Sequence, residues 1–361
     1  KSSRDDNFNK TPQDLGMYKR VGAGALVVNK MQAWQGSLGV SAHDGAVSGD
    51  YLVCSITSDD VDARYLHQLV RSAPMVDQYR RRSTGIRPSQ WRLYWDDFCD
   101  IEVDLPPLAE QRASADYQDA ETARIDALIA KKQQLIHLLE ERWRATIDAE
   151  FGKMDQPFVA LRRFIGVITQ GVSPQAGTAP YSPGRRGLLK LSAVHFGDYR
   201  PDENKELDID FDQSKAIAPR FGDLLVTRAN TPQLVGDACA VREPDANVVL
   251  CDLIYLLRLD DRLKAEFAAY ALLTRRSRHE FTSLARGTSQ SMVKLRGEDV
   301  VSIRLPVPAL SQQDQVVKRL DTARDRIEEA RRTLARQIEL LTEHRRALIT
   351  HAVAGEPSVG P

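Results

Sequence analysis

The residues best suited to chemistry in this sequence are cations set among small polar side chains. Arg80-Arg81-Arg82, Arg87 and Arg92 lie with Ser83, Thr84, Ser89 and Gln90. Late in the second half, Arg275, Arg276, Arg278, Arg286, Lys294 and Arg296 lie with Thr288, Ser289, Gln290 and Ser291 and read as the counterpart of the first group. Cations beside hydroxyls and amides suit the clamping of phosphate oxygens. Two further segments, Asn29-Lys30-Met31-Gln32 with Trp34-Gln35-Gly36 and Thr227-Arg228-Ala229-Asn230-Thr231, carry the side chains that read base edges. Arg or Lys reaches guanine and Asn or Gln reaches adenine in the major groove. The candidate DNA contacts are therefore Asn29, Lys30, Gln35, Arg80, Arg81, Arg87, Arg228, Asn230, Thr231, Arg286, Gln290 and Lys294. A solvated helix face or an ordinary polar loop is the plain alternative for each.

Catalytic patterns fail on placement. Gly22-Ala23-Gly24 precedes a strand, whereas a phosphate-cradling glycine turn follows one, and no P-loop is present. Asp202, Glu203 and Lys205 are nearly contiguous, so they cannot converge from separate strands around a metal. Asp208, Asp210 and Asp212 alternate as a solvent face does, and His67, His195 and His351 have no evident triad partners. Cys54, Cys99, Cys239 and Cys251 lack metal-ligand spacing, so a reducing cytoplasm is expected, with no metal and no disulfide framework. No apolar run reaches the roughly 18 residues of a membrane span. Lys1-Ser2-Ser3-Arg4 is not a signal peptide, and the absence of an initiating Met points to a start inside a larger gene product. Lys and Arg total 50 against 50 Asp and Glu, so any DNA contact must come from a local patch.

What must position these residues is an internal repeat. Leu105-Pro106-Pro107-Leu108-Ala109-Glu110-Gln111 resembles Leu305-Pro306-Val307-Pro308 followed by Leu310-Ser311-Gln312-Gln313, and each opens a long charged helix. An offset of 202 then pairs Asp50 with Asp252, Tyr65 with Phe267, Tyr79 with Phe281, Gly85 with Gly287 and Asp97 with Asp299. With small gaps, Gly24 through Lys30 match Gly222 through Arg228. The expected organisation is a first recognition domain over 1–104, a helix over 105–150, a second domain over 151–304, and a second helix with a tail over 305–361. The first copy is the shorter, by roughly 40 residues at its N-terminal side, and is expected to lack some strands.

Residues 108–150 contain neither Gly nor Pro and are rich in good helix formers. Ile125, Ile129, Ile136, Leu139, Trp143 and Ile147 form an apolar stripe, and Leu320, Ile327, Leu334, Leu341 and Leu348 recur every seventh residue. About 40 residues make a rod of roughly 60 Å, too long for one small domain to cover. The two seams must therefore bury each other, and an antiparallel coiled coil with pseudo-two-fold symmetry is the expected arrangement; an intermolecular scaffold is the alternative. Short apolar runs such as 164–168, 188–191, 223–226, 238–241 and 253–257 alternate with Gly, Pro and Asp clusters and predict strands, with one helix per domain over 62–82 and 262–285. The fold class is α+β, two β-rich domains each followed by a long helix.

The segment Leu105 to Arg112, continuing through Asp119 to Lys132 and Leu138 to Arg142, resembles the central spacer of type I restriction-modification specificity subunits. The likeness extends to Arg345-Arg346-Ala347-Leu348-Ile349-Thr350, Val27 to Met31, Trp34 to Gly36 and Ser48 to Tyr51, and so covers most of the chain. It implies a non-catalytic subunit in which each domain reads half of a split double-stranded DNA target while the helices set the gap. It also implies assembly with two modification subunits, which use S-adenosylmethionine to methylate adenine, and with restriction subunits that use ATP and Mg. The chain itself would bind no cofactor and touch no membrane. Two other readings stay open: a truncated or silent specificity subunit reading one half-site, and a coiled-coil adaptor for proteins.

Overall fold

A computed structural model describes residues 16, 18–87, 90–208, 210–289 and 292–351. The chain divides into two compact units, residues 1–134 with 334–361 and residues 135–333. Each long helix is thus shared between units, whereas the sequence reading set the helices apart.

Unit 1 contains β1 (Lys19–Val21), β2 (Leu26–Asn29), β3 (Leu38–Val40), β4 (Gly45–Val47), β5 (Tyr51–Cys54), α1 (Ala63–Leu69), α2 (Ala73–Arg82) and α3 (Trp95–Cys99). It also holds the first part of α4 (Leu108–Phe151). β3, β2 and β5 form an antiparallel sheet in that order, and β1 pairs with β4. Val28, Ala33, Leu38, Tyr65, Leu69, Tyr79 and Leu93 make the core, and Ala115 of α4 closes it.

Unit 2 follows the end of α4 with β6 (Phe158–Ala160), β7 (Ile165–Gln170), β8 (Gly187–Leu189), β9 (Val194–His195), β10 (Asp198–Tyr199) and β11 (Asn204–Glu206). Next come β12 (Leu224–Thr227), β13 (Ala229–Asn230), β14 (Ala238–Ala240), β15 (Val248–Val249), β16 (Ile254–Leu259), α5 (Ala265–Leu273) and α6 (Arg275–Leu284). β17 (Arg286–Ser289), β18 (Met292–Lys294), α7 (Gly297–Ser302), β19 (Arg304–Pro306) and α8 (Leu310–His351) complete the described chain. The main sheet runs β14-β12-β16-β7, all antiparallel. The fold is mixed helix and sheet, as the sequence predicts.

Each predicted domain helix is two helices. Ser72 accepts a hydrogen bond from Met75 N, and Thr274, at the same point of the second copy, accepts one from Ser277 N. A hydroxyl N-cap starts a new helix rather than continuing the old one, and Pro74 in the first turn of α2 reinforces the break.

The long helices pack antiparallel. Within unit 1, Asp126 pairs with Arg345 at 2.8 Å and Lys132 with Gln337 at 2.6 Å, so one number rises as the other falls. Within unit 2, Arg319 meets Glu150 at 2.8 Å, and Lys153 together with Arg319 holds that carboxyl below its usual range. Seam residues Ile125 and Leu320 are buried, and Ile129, Ile136, Leu139, Ile327, Leu334, Leu341 and Leu348 are half-buried on the least exposed stripe. The helices do more than cover each other. Trp143, Ile147 and Phe151 of α4 enter the core of unit 2, with Trp143 edge-on to Tyr270 at 5.7 Å and Phe151 against Phe267 at 5.2 Å. Burying each such side chain contributes roughly 1.5–3 kcal/mol, so α4 is part of the domain it precedes.

Candidate nucleic-acid interface

The same local architecture is built twice. Gly24 (φ +87°) and Gly222 (φ +83°) adopt the left-handed conformation that turns the chain into β2 and β12. Each strand ends in a buried polar residue, Asn29 or Thr227, and delivers a cation, Lys30 or Arg228, at its tip. The carbonyl of Lys30 accepts from Leu93 N at 2.9 Å, and that of Arg228 from Leu295 N at 2.8 Å. Leu93 and Leu295 are buried and close a hairpin that returns after α2 and α6. The hairpins match as well: Thr84 bridges Arg92 as Arg286 pairs with Lys294. A Cβ on Gly85 would meet Gln90 O at 2.6 Å, and one on Gly287 would meet Met292 O at 2.9 Å. Glycine is required there because the two hairpin arms cross too closely for a side chain.

The loop after the first strand and the basic hairpin, two separate candidates in the sequence, therefore form one surface in each unit. In unit 1 Trp34 packs edge-on against Trp91 at 5.4 Å, and Arg92 reaches Met31 Sδ at 3.2 Å and Asp50 at 3.0 Å. In unit 2 the join is a strand pairing, with Ala229 opposite Lys294 and Asn230 opposite Val293.

Individual candidates fare differently. Gln35, Arg80, Arg81, Arg87, Arg286 and Lys294 are exposed, although Arg80 leans on Asp77 at 3.4 Å and Arg286 on Asp299 at 2.8 Å. Lys30, Asn230 and Thr231 are half-buried, and the side-chain Oδ1 of Asn230 accepts from Thr231 N at 2.8 Å. Gln290 lies outside the described residues, as do Ser89 and Ser291.

Two candidates are hydrogen-bonded within their own units. Asn29 is 9% exposed; its amide donates to Tyr51 Oη at 3.2 Å and Gln32 Oε1 at 3.4 Å, and its oxygen accepts from Met31 N at 3.1 Å. These bonds tie Asn29 to the start of the loop and to β5. Arg228 donates to Tyr255 Oη at 3.2 Å and the Asp252 carbonyl at 3.4 Å, which holds its guanidinium back against unit 2.

The supposed correspondence of the two arginine groups is also overturned. Arg80–Arg82 end α2, whereas Arg275, Arg276 and Arg278 begin α6, and the repeat sets Arg80 opposite Thr282. Arg276 covers Phe158 at 4.0 Å. Arg278 donates to Gln233 O at 2.8 Å, and burial pushes its pKa down. These two arginines build the domain.

Sequence reasoning missed the residues that fasten each domain to its helix. Gln111, 1% exposed, accepts from Asp62 N at 2.9 Å and donates to Asp60 O at 2.9 Å and Pro106 O at 2.8 Å. Gln313, 0% exposed, accepts from Lys264 N and donates to Arg262 O and Pro308 O, each at 2.9 Å. The signal was present as a glutamine five residues after a proline in both copies. Buried Asp237 was likewise missed: its carboxylate accepts from Phe196 N and Ala238 N beside the loop that follows Thr231, and burial raises its pKa to about 6. Among the described residues no cluster of His, Cys, Asp and Glu is arranged to hold a metal, and no helix is long and apolar enough to cross a membrane.

No family model matches the chain. It is 27% identical over 193 residues to the Type I restriction enzyme EcoEI specificity subunit of Escherichia coli, covering 50% of this chain and 32% of that protein. It is 21% identical over 249 residues to the EcoKI specificity subunit of Escherichia coli strain K12, covering 66% of this chain and 52% of the relative. The matches therefore span a third to a half of those relatives' lengths. Among solved structures, a chain from work on complex assembly and conformational transition of the type I R-M system superposes with a TM-score of 0.66 at 18% identity, over 95% of this chain and 85% of that one. The HsdS subunit from Thermoanaerobacter tengcongensis gives 0.51 at 19% identity, over 93% and 82%. The resemblance to type I specificity subunits thus holds in sequence, and the fold is theirs.

Proposed function

We propose that this chain is the DNA sequence-specificity subunit of a type I restriction-modification complex, with no active site of its own. The observation that carries the reading is the duplication of one device: a glycine-turned strand whose tip is clamped to a basic hairpin, built once in each unit, with each unit fastened to a long helix by a buried glutamine. Two readers joined by a helix pair suit a target split into two half-sites, as the geometry of a dimer suits two half-sites at fixed spacing. In this reading Lys30, Gln35, Arg81, Arg87 and Lys294 face the duplex, with Asn230 and Thr231 beside them. Adenine methylation with S-adenosylmethionine, and ATP- and Mg-dependent translocation and cleavage, belong to modification and restriction subunits in a bacterial cytoplasm.

The test is co-expression with a modification subunit encoded beside it, followed by single-molecule sequencing of plasmid DNA. A bipartite methylated motif with a fixed gap supports two working readers. A stable complex that leaves no motif refutes sequence reading, and the absence of any complex favours a protein adaptor. A second reading, in which only unit 2 reads its half-site, is favoured by one observation: among the described residues, the sheet around β2 has three strands where that around β12 has four. A single short motif or its inverted repeat would select it.

A further inference from the structure

Unit 2 has a cleft of about 630 Å³ where the C-terminal turns of α4, the loop that follows Thr231, and α6 meet; Arg144, Phe196, Pro232, Gln233, Arg278 and His279 line it. A small-molecule site of this volume holds a ligand of nucleotide size. Part of the lining is apolar: Ile147 and Leu273 are buried, and Phe196 and Pro232 are half-buried.

The charges around the cleft do not pair off. Two carboxylates line it, and both face cations of their own. Asp148 accepts from the backbone N of Arg275 at 2.7 Å and lies 3.6 Å from its Nε, and Glu141 lies 3.4 Å from His137. Among the described residues, neither Arg144 nor Arg278 is within ion-pair distance of a carboxylate. Arg144 is exposed and sets its guanidinium over the Phe196 ring, 4.8 Å from the centroid. Arg278 donates Nη2–H to Gln233 O at 2.8 Å, while its Nη1 is buried without a hydrogen-bond partner. Burial lowers the pKa of Arg278; the attraction of Asp237 opposes that shift and the repulsion of Arg144 adds to it. The Asp237 oxygens already accept from Phe196 N and Ala238 N. Two guanidiniums that repel each other, one with an unsatisfied buried donor, are the groups an anion would stabilise.

The fold itself does not call for these cations. By the repeat, Ala73, Val76 and Asp77 stand in α2 where Arg275, Arg278 and His279 stand in α6, and Val76 simply packs against the core of its unit.

We propose that this cleft of unit 2 binds the phosphoryl group of a nucleotide, its oxygens on Arg144 and Arg278 and its organic part over Phe196 and Pro232. The planar guanidinium fork matches phosphate oxygens two at a time. A free nucleotide and the phosphodiester of a DNA strand running past the loop offer the same chemistry; the first source is independent of DNA reading, and the second rests on it. Because Arg278 also holds the Gln233 carbonyl, occupancy stiffens the loop that follows Asn230 and Thr231.

Two arms distinguish the sources on the full chain. Isothermal titration calorimetry with ATP, AMP and orthophosphate, in the absence of DNA, reads the first. Expected are one saturable site per chain and slowed amide exchange over residues 231–236 and 275–282. Arg144→Gln should weaken binding by at least about tenfold, and Arg144→Glu by more. Both variants should fold, because Arg144 is exposed and its contact is the face of Phe196. Arg278→Lys, which keeps the charge without the fork, should bind more weakly than the parent. The second arm follows anisotropy on fluorescein-labelled duplex DNA. If the phosphate is that of DNA, free nucleotides fail to bind, whereas Arg144→Gln lowers the slope of log affinity against log salt by about 1. A chain that binds neither probe overturns the proposal, as does binding of both probes that Arg144→Glu leaves unchanged, or nucleotide protection confined to other residues. Duplex binding that persists unchanged in Arg144→Glu, with no nucleotide bound, sinks the cleft and leaves DNA reading intact.

Discussion

Replacing Gln313 by alanine tests whether a single buried amide fastens domain to helix. Gln313 has no exposed surface, and its three hydrogen bonds of 2.9 Å all go to backbone groups: Lys264 N, Arg262 O and Pro308 O. Truncation strands one donor and two acceptors. An unsatisfied buried polar group costs about 1–3 kcal/mol, and water entering the space left behind offsets part, so the expected loss is about 3 kcal/mol. Gln111→Ala should cost the same within about 1 kcal/mol, because its amide makes the same three bonds to Asp62, Asp60 and Pro106. Gln313→Glu sharpens the test. An ionised carboxylate would face two carbonyl oxygens, whereas its protonated form restores one donor. The folded state therefore favours the proton, and stability lost at neutral pH should return on acidification. The assay is urea unfolding with hydrogen exchange read at the starts of α5 and α8 for Gln313 and of α1 and α4 for Gln111. A loss below about 1 kcal/mol in Gln313→Ala, or no recovery of Gln313→Glu in acid, would refute the reasoning.

If the basic surfaces meet phosphates, Arg81→Ala, Arg87→Ala and Lys294→Ala should each lower the slope of log affinity against log salt by about 1, measured by anisotropy on duplex DNA; unchanged slopes would remove them from the interface. Asn230→Ala should relax preference at one base position, whereas Arg228→Ala should cost stability without changing the motif. Methylation mapping of the two variants separates base reading from loop support. Inserting seven residues into each long helix in matched register should lengthen the gap between half-sites by about 10 Å, or roughly 3 base pairs; an unchanged gap refutes the ruler. Burial, reinforced by Arg200 and Arg331, lowers the pKa of His195 to about 4. Its unfolded value is about 6.5, so its contribution is present above that pH and lost as pH falls toward 4. The full shift corresponds to about 3 kcal/mol, reduced to ~2 kcal/mol because the ring is partly exposed. The His195→Gln variant should lack that loss. Asp237 titrates the other way, gaining stability as pH falls through about 6, so the difference between variant and parent is the quantity to measure.

The sequence by itself determined the repeat, the two long helices and the apolar stripes along them. These are periodic properties: an amphipathic helix must repeat near 3.6 residues, and a duplicated domain preserves spacing even where identities drift. Its local stops were only partly legible. Ser72 and Thr274 sit within helix-favouring runs, and whether a hydroxyl caps a new helix or faces solvent depends on where the backbone turns. Tertiary structure alone decided what each polar side chain is for. Asn29 and Gln35 are both polar amides in one loop, yet Tyr51 and Gln32 engage the first while the second remains exposed. Gln111 and Gln313 look like surface residues of charged helices and are instead buried against the backbone of the domain. Composition and spacing name the donors and acceptors a chain carries. Which of them are satisfied internally, and which are left for a partner, depends on contacts between residues far apart in sequence.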